Sequence, residues 1–148
     1  YGFRENFINK LKKMGLKIRC FGSGWDKKLN TDEEINLIFN KSKIVLGMGG
    51  IGYNEEIMNL KGRDFDAPGS GAALYITSFN PDLALFFDIG KEILCYRNEI
   101  DLFDQINHYL QHYDEAEKII LAGRLKSLNY HRWVHRFTQI YDIINADK

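Results

Sequence analysis

Between residues 61 and 71 the sequence reads Lys61-Gly62-Arg63-Asp64-Phe65-Asp66-Ala67-Pro68-Gly69-Ser70-Gly71, which places two cations, two carboxylates and three glycines in one short segment. These residue types suit a nucleoside diphosphate. Arg63 can bind phosphate bidentately, Lys61 adds a point charge, a carboxylate, Asp64 or Asp66, can accept both hydroxyls of a ribose, and the backbone at Gly69, Ser70 and Gly71 admits close approach. A solvated charged turn, with ion pairs among Lys61, Arg63, Asp64 and Asp66, accounts for the same residues, and spacing alone leaves both readings open.

A second segment is glycine-rich. Gly47, Gly49 and Gly52 fit the GxGxxG pattern, and the run with Gly50 follows a strand-like stretch, as a phosphate-cradling loop does. A loop that merely turns tightly has the same composition. A dinucleotide-binding unit would also carry an acid near the end of the next strand to hold a ribose, and that strand ends in Thr77-Ser78-Phe79. An NAD-dependent oxidoreductase is therefore an alternative without its usual acid. Trp25, after Gly22-Ser23-Gly24, has the shape either to lie against a base or to close the domain edge. His108 and His112 share a helix face at i and i+4, but no third ligand stands in register, so no metal site is expected. His131 and Arg136 are expected to tie the last helix to the domain, with a direct phosphate contact as the alternative reading. No serine-histidine-aspartate or cysteine-histidine arrangement can be assigned, which leaves the catalytic residues unknown.

These residues need a frame to hold them. Apolar residues at helical spacing predict helices over residues 3–14, 32–39 and 54–60, the second with Thr31 and Glu34 at capping-box spacing and the third capped by Asn54. Strands are predicted at 16–21, 44–46, 72–77 and 93–96, a short helix after Asn80-Pro81, and three helices in the last third. Strands alternating with helices predict a parallel sheet covered on both faces, with ligands at the carboxyl ends of its strands. The segments 22–30, 47–54, 61–71 and 77–82 are then the expected functional connections.

Composition narrows the function classes. Lysine plus arginine equals aspartate plus glutamate, 20 against 20, so no global field draws the chain to nucleic acid or to an anionic membrane. No segment approaches the roughly 20 apolar residues of a membrane span. Cys20 and Cys95 lie in apolar runs without CxxC spacing and read as reduced core thiols, which suggests a cytoplasmic protein. With 148 residues and Tyr1 at its start, the chain is expected to be one domain cut from a longer protein.

Several spaced segments together resemble a known family. Arg63-Asp64-Phe65-Asp66, the small residues up to Gly71, Tyr75-Ile76-Thr77, Asn80-Pro81-Asp82-Leu83, Phe86-Phe87, Gly90-Lys91-Glu92-Ile93, Tyr96, Ala122-Gly123-Arg124 and the run from His131 to Arg136 are similar in order and spacing to the carboxyl-terminal domain of CgeB-like glycosyltransferases. Phe21-Gly22-Ser23-Gly24-Trp25 and the segment 42–46 extend the likeness over nearly the whole chain. The resemblance implies an α/β, Rossmann-like half of a GT-B fold. Such a half holds a nucleoside diphosphate sugar, the donor, while an amino-terminal domain of the same chain supplies the acceptor site across a cleft.

By that resemblance Asp66 stands where the family usually has a ribose-binding glutamate, one methylene longer. Met58 stands where related retaining enzymes carry another acid, so the stereochemical course is left open. The implied donor site comprises Lys61, Arg63, Asp66, Gly69, Ser70 and Gly71 with Gly49, Gly50 and Gly52, and Trp25 as a possible base contact. No metal or other cofactor is obligatory if cations and backbone amides stabilise the departing diphosphate. A non-catalytic interaction domain of the same fold is the remaining alternative. The first strand of the family's domain is expected to be absent, leaving a sheet edge exposed or filled by a neighbouring chain.

Overall fold

The computed structural model describes residues 2–22, 24–25, 28–29, 31–51 and 54–146. Helices α1 (Gly2–Lys13) and α2 (Asp32–Asn40) precede β1 (Ile44–Leu46), a small antiparallel pair β2 (Gly50–Ile51) and β3 (Asn54–Met58), and helix α3 (Arg63–Ser70). Then come β4 (Leu74–Ser78), a single 3-10 turn over Pro81–Leu85, β5 (Leu94–Tyr96), and helices α4 (Glu99–Gln111), α5 (Tyr113–Tyr130) and α6 (Trp133–Ala146). The parallel sheet has the order β1-β4-β5, with Val45 opposite Tyr75 and Thr77 opposite Cys95. β1 and β5 are its two edges, each paired on one side.

Side chains alternate across a strand, so each residue of β4 serves one of two cores. Leu74 and Ile76, with Leu94 and Tyr96, pack under Phe7, Ile8 and Leu11 of α1, Leu102 and Ile106 of α4, and Ala116 and Ile119 of α5. Tyr75 faces the other way, into a core built from Phe39 of α2, Val45, Ala67 of α3, Leu83, Phe87 and Ile93. Helices thus cover both faces, the Rossmann-like α/β arrangement expected from the alternating pattern. Local chemistry starts the helices where the sequence places them. Thr31 Oγ1 accepts a hydrogen bond from the Glu34 amide, and Asn98 Oδ1 accepts one from the Asp101 amide.

The structure corrects three predicted elements. Residues 16–21 belong to no strand. Leu16, Ile18 and Cys20 alternate inward against the first core without joining the ladder, so the hydrophobic pattern reports their burial and not a pairing. Residues 54–58 form a strand and not an Asn54-capped helix. Gly50 pairs with Met58, Ile51 with Asn54, and the Asn59 amide closes on Gly49 O at 3.2 Å, so a hairpin meets the backbone's hydrogen-bonding demand that a lone helical turn would leave open. The charged segment 61–71, expected as a connection, is mostly helix α3.

Three of its features hold α3 together. Asp64, Ala67 and Pro68 lie at i, i+3 and i+4 and form its buried face. Asp64 Oδ2 reaches back to the Lys61 amide at 2.6 Å, closing the first turn. At the other end Gly71 takes the left-handed conformation, φ 63°, and its amide donates to Pro68 O. Pro68 removes one helical hydrogen bond, which a two-turn helix docked by that same residue tolerates. Helix α6 differs from the rest, since none of its residues is buried and Trp133 is 76 % exposed.

Candidate functional site

A groove of about 900 Å³ runs between α2, α3 and the elbow that joins α5 to α6. That lies within the roughly 300–1,000 Å³ of small-molecule sites. Lys61, Asp66, Gly69 and Ser70 enter it from the α3 segment, Asp32 and Asn36 from α2, and Ser127, His131, Arg132 and Arg136 from the elbow. Ile35, Leu60, Phe65 and Trp133 supply its apolar surface. Among the described residues none of Lys61, Arg132, Arg136, Asp32 and Asp66 takes part in an ion pair. Five uncompensated charges of both signs therefore border one apolar concavity. Partial burial, and then the nearby Asp32 charge, push the Asp66 carboxyl above the usual carboxylate range.

The α3 wall is anchored from beneath. Asp64 is 3 % exposed and accepts from the Tyr75 hydroxyl at 2.5 Å as well as from the Lys61 amide. Burial, then the Asp64 charge, raises the Tyr75 pKa, so its hydroxyl remains a donor at any ordinary pH. Burial also pushes the Cys95 thiol up to about 11. The glycine run lies over the same strand end. Gly47 packs so closely on Tyr75 and Thr77 that a Cβ would stand 2.2 Å from the tyrosine oxygen. The Gly47 amide donates to Ile76 O at 2.7 Å and the Gly49 amide to Ser78 Oγ at 2.7 Å.

At the elbow a histidine links two elements. His131 packs edge-on against the rings of Phe65, Phe86 and Phe87, and its Nε2 lies 2.8 Å from Phe86 O. A carbonyl oxygen only accepts, so Nε2 carries the hydrogen and Nδ1 is left to accept from Arg136 Nη2 at 3.0 Å. That pairing requires a neutral ring. Desolvation lowers the His131 pKa, opposed by the Phe86 carbonyl and assisted by the Arg136 charge.

The consequence for stability has a definite sign. Below the unfolded value, roughly 6.5, the unfolded chain takes a proton that the folded ring refuses. The His131 contribution is therefore complete above that pH and declines as pH falls through the lowered folded value. Urea midpoints should fall from pH 7.5 to 5.5 by more in the parent protein than in His131→Phe, which keeps a ring but cannot titrate. Equal declines would contradict this assignment.

The family model described as glycosyl transferase-like matches residues 4–142, from α1 into α6. The chain belongs to the glycosyl transferase-like family. No curated protein and no solved structure matches it. Membership in this transferase-like family gives the α/β sheet and its helical layers a glycosyl transfer role. No helix among the described residues is long and apolar enough to cross a membrane.

The structure of this glycosyl transferase-like chain brings together some of the sequence-selected residues and separates others. Lys61, Asp66, Gly69 and Ser70 share the groove. Arg63 does not line it, and its buried Nε has no hydrogen-bond partner. Gly71 caps α3 against Arg124 of α5. Gly49 and Gly50 lie at the strand ends, where Gly50 O accepts from Arg4, and Gly52 lies outside the described residues. Trp25 packs beside Lys12 against the first core and away from the groove. His108 bonds Glu115 on the exposed surface, with the His112 ring stacked on it. Sequence reasoning missed Asp32, Ser127 and Arg132 as lining residues. Asp32 was hidden in a capping segment, and Ser127 on a helix face that only tertiary packing turns inward.

Proposed function

We propose that the groove between α2, α3 and the α5–α6 elbow is the donor site of a glycosyltransferase, and that its ligand is a nucleoside diphosphate sugar. The observation that carries this reading is the convergence of unpaired cations (Lys61, Arg132, Arg136) and unpaired carboxylates (Asp32, Asp66) around an apolar floor of suitable volume. A nucleotide sugar needs all three surfaces: an apolar one for the base, acceptors for ribose hydroxyls, and cations for the diphosphate. Asp66 is the ribose acceptor in this assignment, as the resemblance to CgeB-like enzymes implies. Cations that meet the diphosphate stabilise charge developing on the leaving group, and no metal is required for that role. The acceptor site and any general base belong to a further domain of the same protein.

An NAD-binding reading is disfavoured by the strand ends. β4 ends in Ser78, whose hydroxyl is bound to Gly49, and the Gly47 amide donates to the backbone of β4. Calorimetric titration of the chain with uridine, guanosine, adenosine, cytidine and thymidine diphosphates, and with NAD, tests the choice. At least one diphosphate should bind while NAD does not; binding of NAD alone, or of nothing, would sink the donor reading. For a diphosphate that binds, Asp66→Ala should erase the preference for ribose over 2′- or 3′-deoxyribose ligands, because the hydroxyl acceptor is gone. An unchanged preference in the folded variant would remove Asp66 from the site.

A further inference from the structure

We propose that the Arg136 guanidinium is the diphosphate-binding group of this groove and that His131 is its positioning residue, an inference that rests on the donor-site reading above. Three cations line the groove, but their geometries differ. The side chains of Lys61 and Arg132 make no hydrogen bond to a described residue. Arg136 is fixed from three sides: Nη2 to His131 Nδ1 at 3.0 Å, Nη1 to Gln139 Oε1 at 3.1 Å, and the guanidinium carbon 5.5 Å from the centroid of the Phe86 ring.

All three partners are uncharged. An arginine whose task is to tie two helices together is commonly neutralised by a carboxylate. Here a neutral imidazole, an amide oxygen and an aromatic face orient the fork and leave its charge uncompensated. Two of its five N–H donors are used, so the rest remain for an anion. Ordering the side chain before binding removes part of the entropy that a flexible lysine would lose on meeting phosphate.

The remaining lining agrees with an anion at this end. The groove's carboxylates, Asp32 and Asp66, come from α2 and α3, whereas the elbow contributes only Arg132 and Arg136 as charged groups. Ser127, one turn before His131 on α5, is 5 % exposed, lines the groove beside Gly69, and its hydroxyl has no hydrogen-bond partner. A ligand oxygen there would satisfy a donor that the protein leaves unsatisfied. His131 itself faces Phe65, Phe86 and Phe87 and is reached by no carboxylate; Lys126 and Arg136 are the charges that act on it. Its ring stays neutral and keeps its lone pair for the arginine.

Arg136→Ala should spare the fold, since α6 buries no residue. Titrating parent and variants with the five nucleoside diphosphates and their uncharged nucleosides reads the proposal directly. Arg136→Ala is expected to weaken the bound diphosphate by about tenfold or more, the loss of one charge-assisted contact, with nucleoside affinity unchanged. Arg136→Lys should recover part of the loss, because the charge returns without the fork. His131→Phe, which retains the ring packing and loses the acceptor, should reduce diphosphate affinity in the same selective way. An equal loss for diphosphate and nucleoside, or an unchanged diphosphate affinity, would overturn the assignment while the donor reading stands. If the parent protein binds none of the five diphosphates, the donor reading fails and this inference with it.

Discussion

Asp64→Ala is expected to lower the unfolding free energy by about 3–4 kcal/mol, because it strips the acceptor from two donors at once. Tyr75 is 2 % exposed and its hydroxyl gives its hydrogen to Asp64 Oδ1, while the Lys61 amide gives its own to Oδ2. The Thr77 hydroxyl is the other group that hydrogen-bonds the Tyr75 oxygen, whereas the Lys61 amide has no second acceptor among the described residues. A cavity at this position adds to the loss, because Asp64 is 3 % exposed. Asp64→Asn should cost less, since its amide oxygen still accepts one of the two bonds. The complementary change, Tyr75→Phe, removes one donor, so a double-mutant cycle of the two positions should show a coupling of roughly 1–3 kcal/mol. Urea unfolding measures each term. A loss under 1 kcal/mol for Asp64→Ala would mean that water or a shifted side chain satisfies both donors. The effect reaches the site as well, because the Lys61 amide bond sets the first turn of α3 and with it the edge of the groove.

The same anchor explains what could be read from the sequence and what could not. Helix α2 was legible because its signals are local: a capping threonine three residues before Glu34, then Ile35, Ile38 and Phe39 on one face. The parallel order β1-β4-β5 was implied by strands alternating with helices. Helix α3 was not legible, because its composition of proline, glycines and charges is that of a turn, and what makes it a helix lies far away in the chain. Tyr75 holds its first turn, and α5 packs along its second. The strand pair at residues 50–51 and 54–58 is illegible for the converse reason, since Asn54 with the glutamates after it imitates a helix start while the pairing partner precedes it in the chain. The groove was half legible. Lys61 and Asp66 were visible as chemistry, but the cations opposite them come from about 70 residues later, and only the docking of α5 on α3 brings the two sets together.

That docking brings Gly123 against its neighbours more closely than a side chain allows, and Gly123→Ala tests it. In an exposed helix interior this substitution stabilises by about 1 kcal/mol, because alanine restricts the unfolded backbone and glycine does not. Gly123 lies in the middle of α5 and is buried. A Cβ there would stand 2.2 Å from the carbonyl oxygen of Glu92 and 3.3 Å from the Pro68 side chain. The first neighbour is backbone just before β5 and cannot rotate aside, and the second is a rigid ring on α3. The clash must therefore win over the propensity, and α5 must shift away from both. Overpacking of this kind costs roughly 1–3 kcal/mol, and a backbone neighbour puts Gly123→Ala at the upper end of that range. Because Ser127 follows on the same helix and His131 caps its end, the shift should also move the elbow away from Phe86 and loosen Arg136. The expected result is a lower urea midpoint at an unchanged slope, together with weaker binding of whichever nucleoside diphosphate the parent protein holds. A variant more stable than the parent would show that α5 stands farther from the sheet than 2.2 Å implies, and the groove it walls would have to be redrawn.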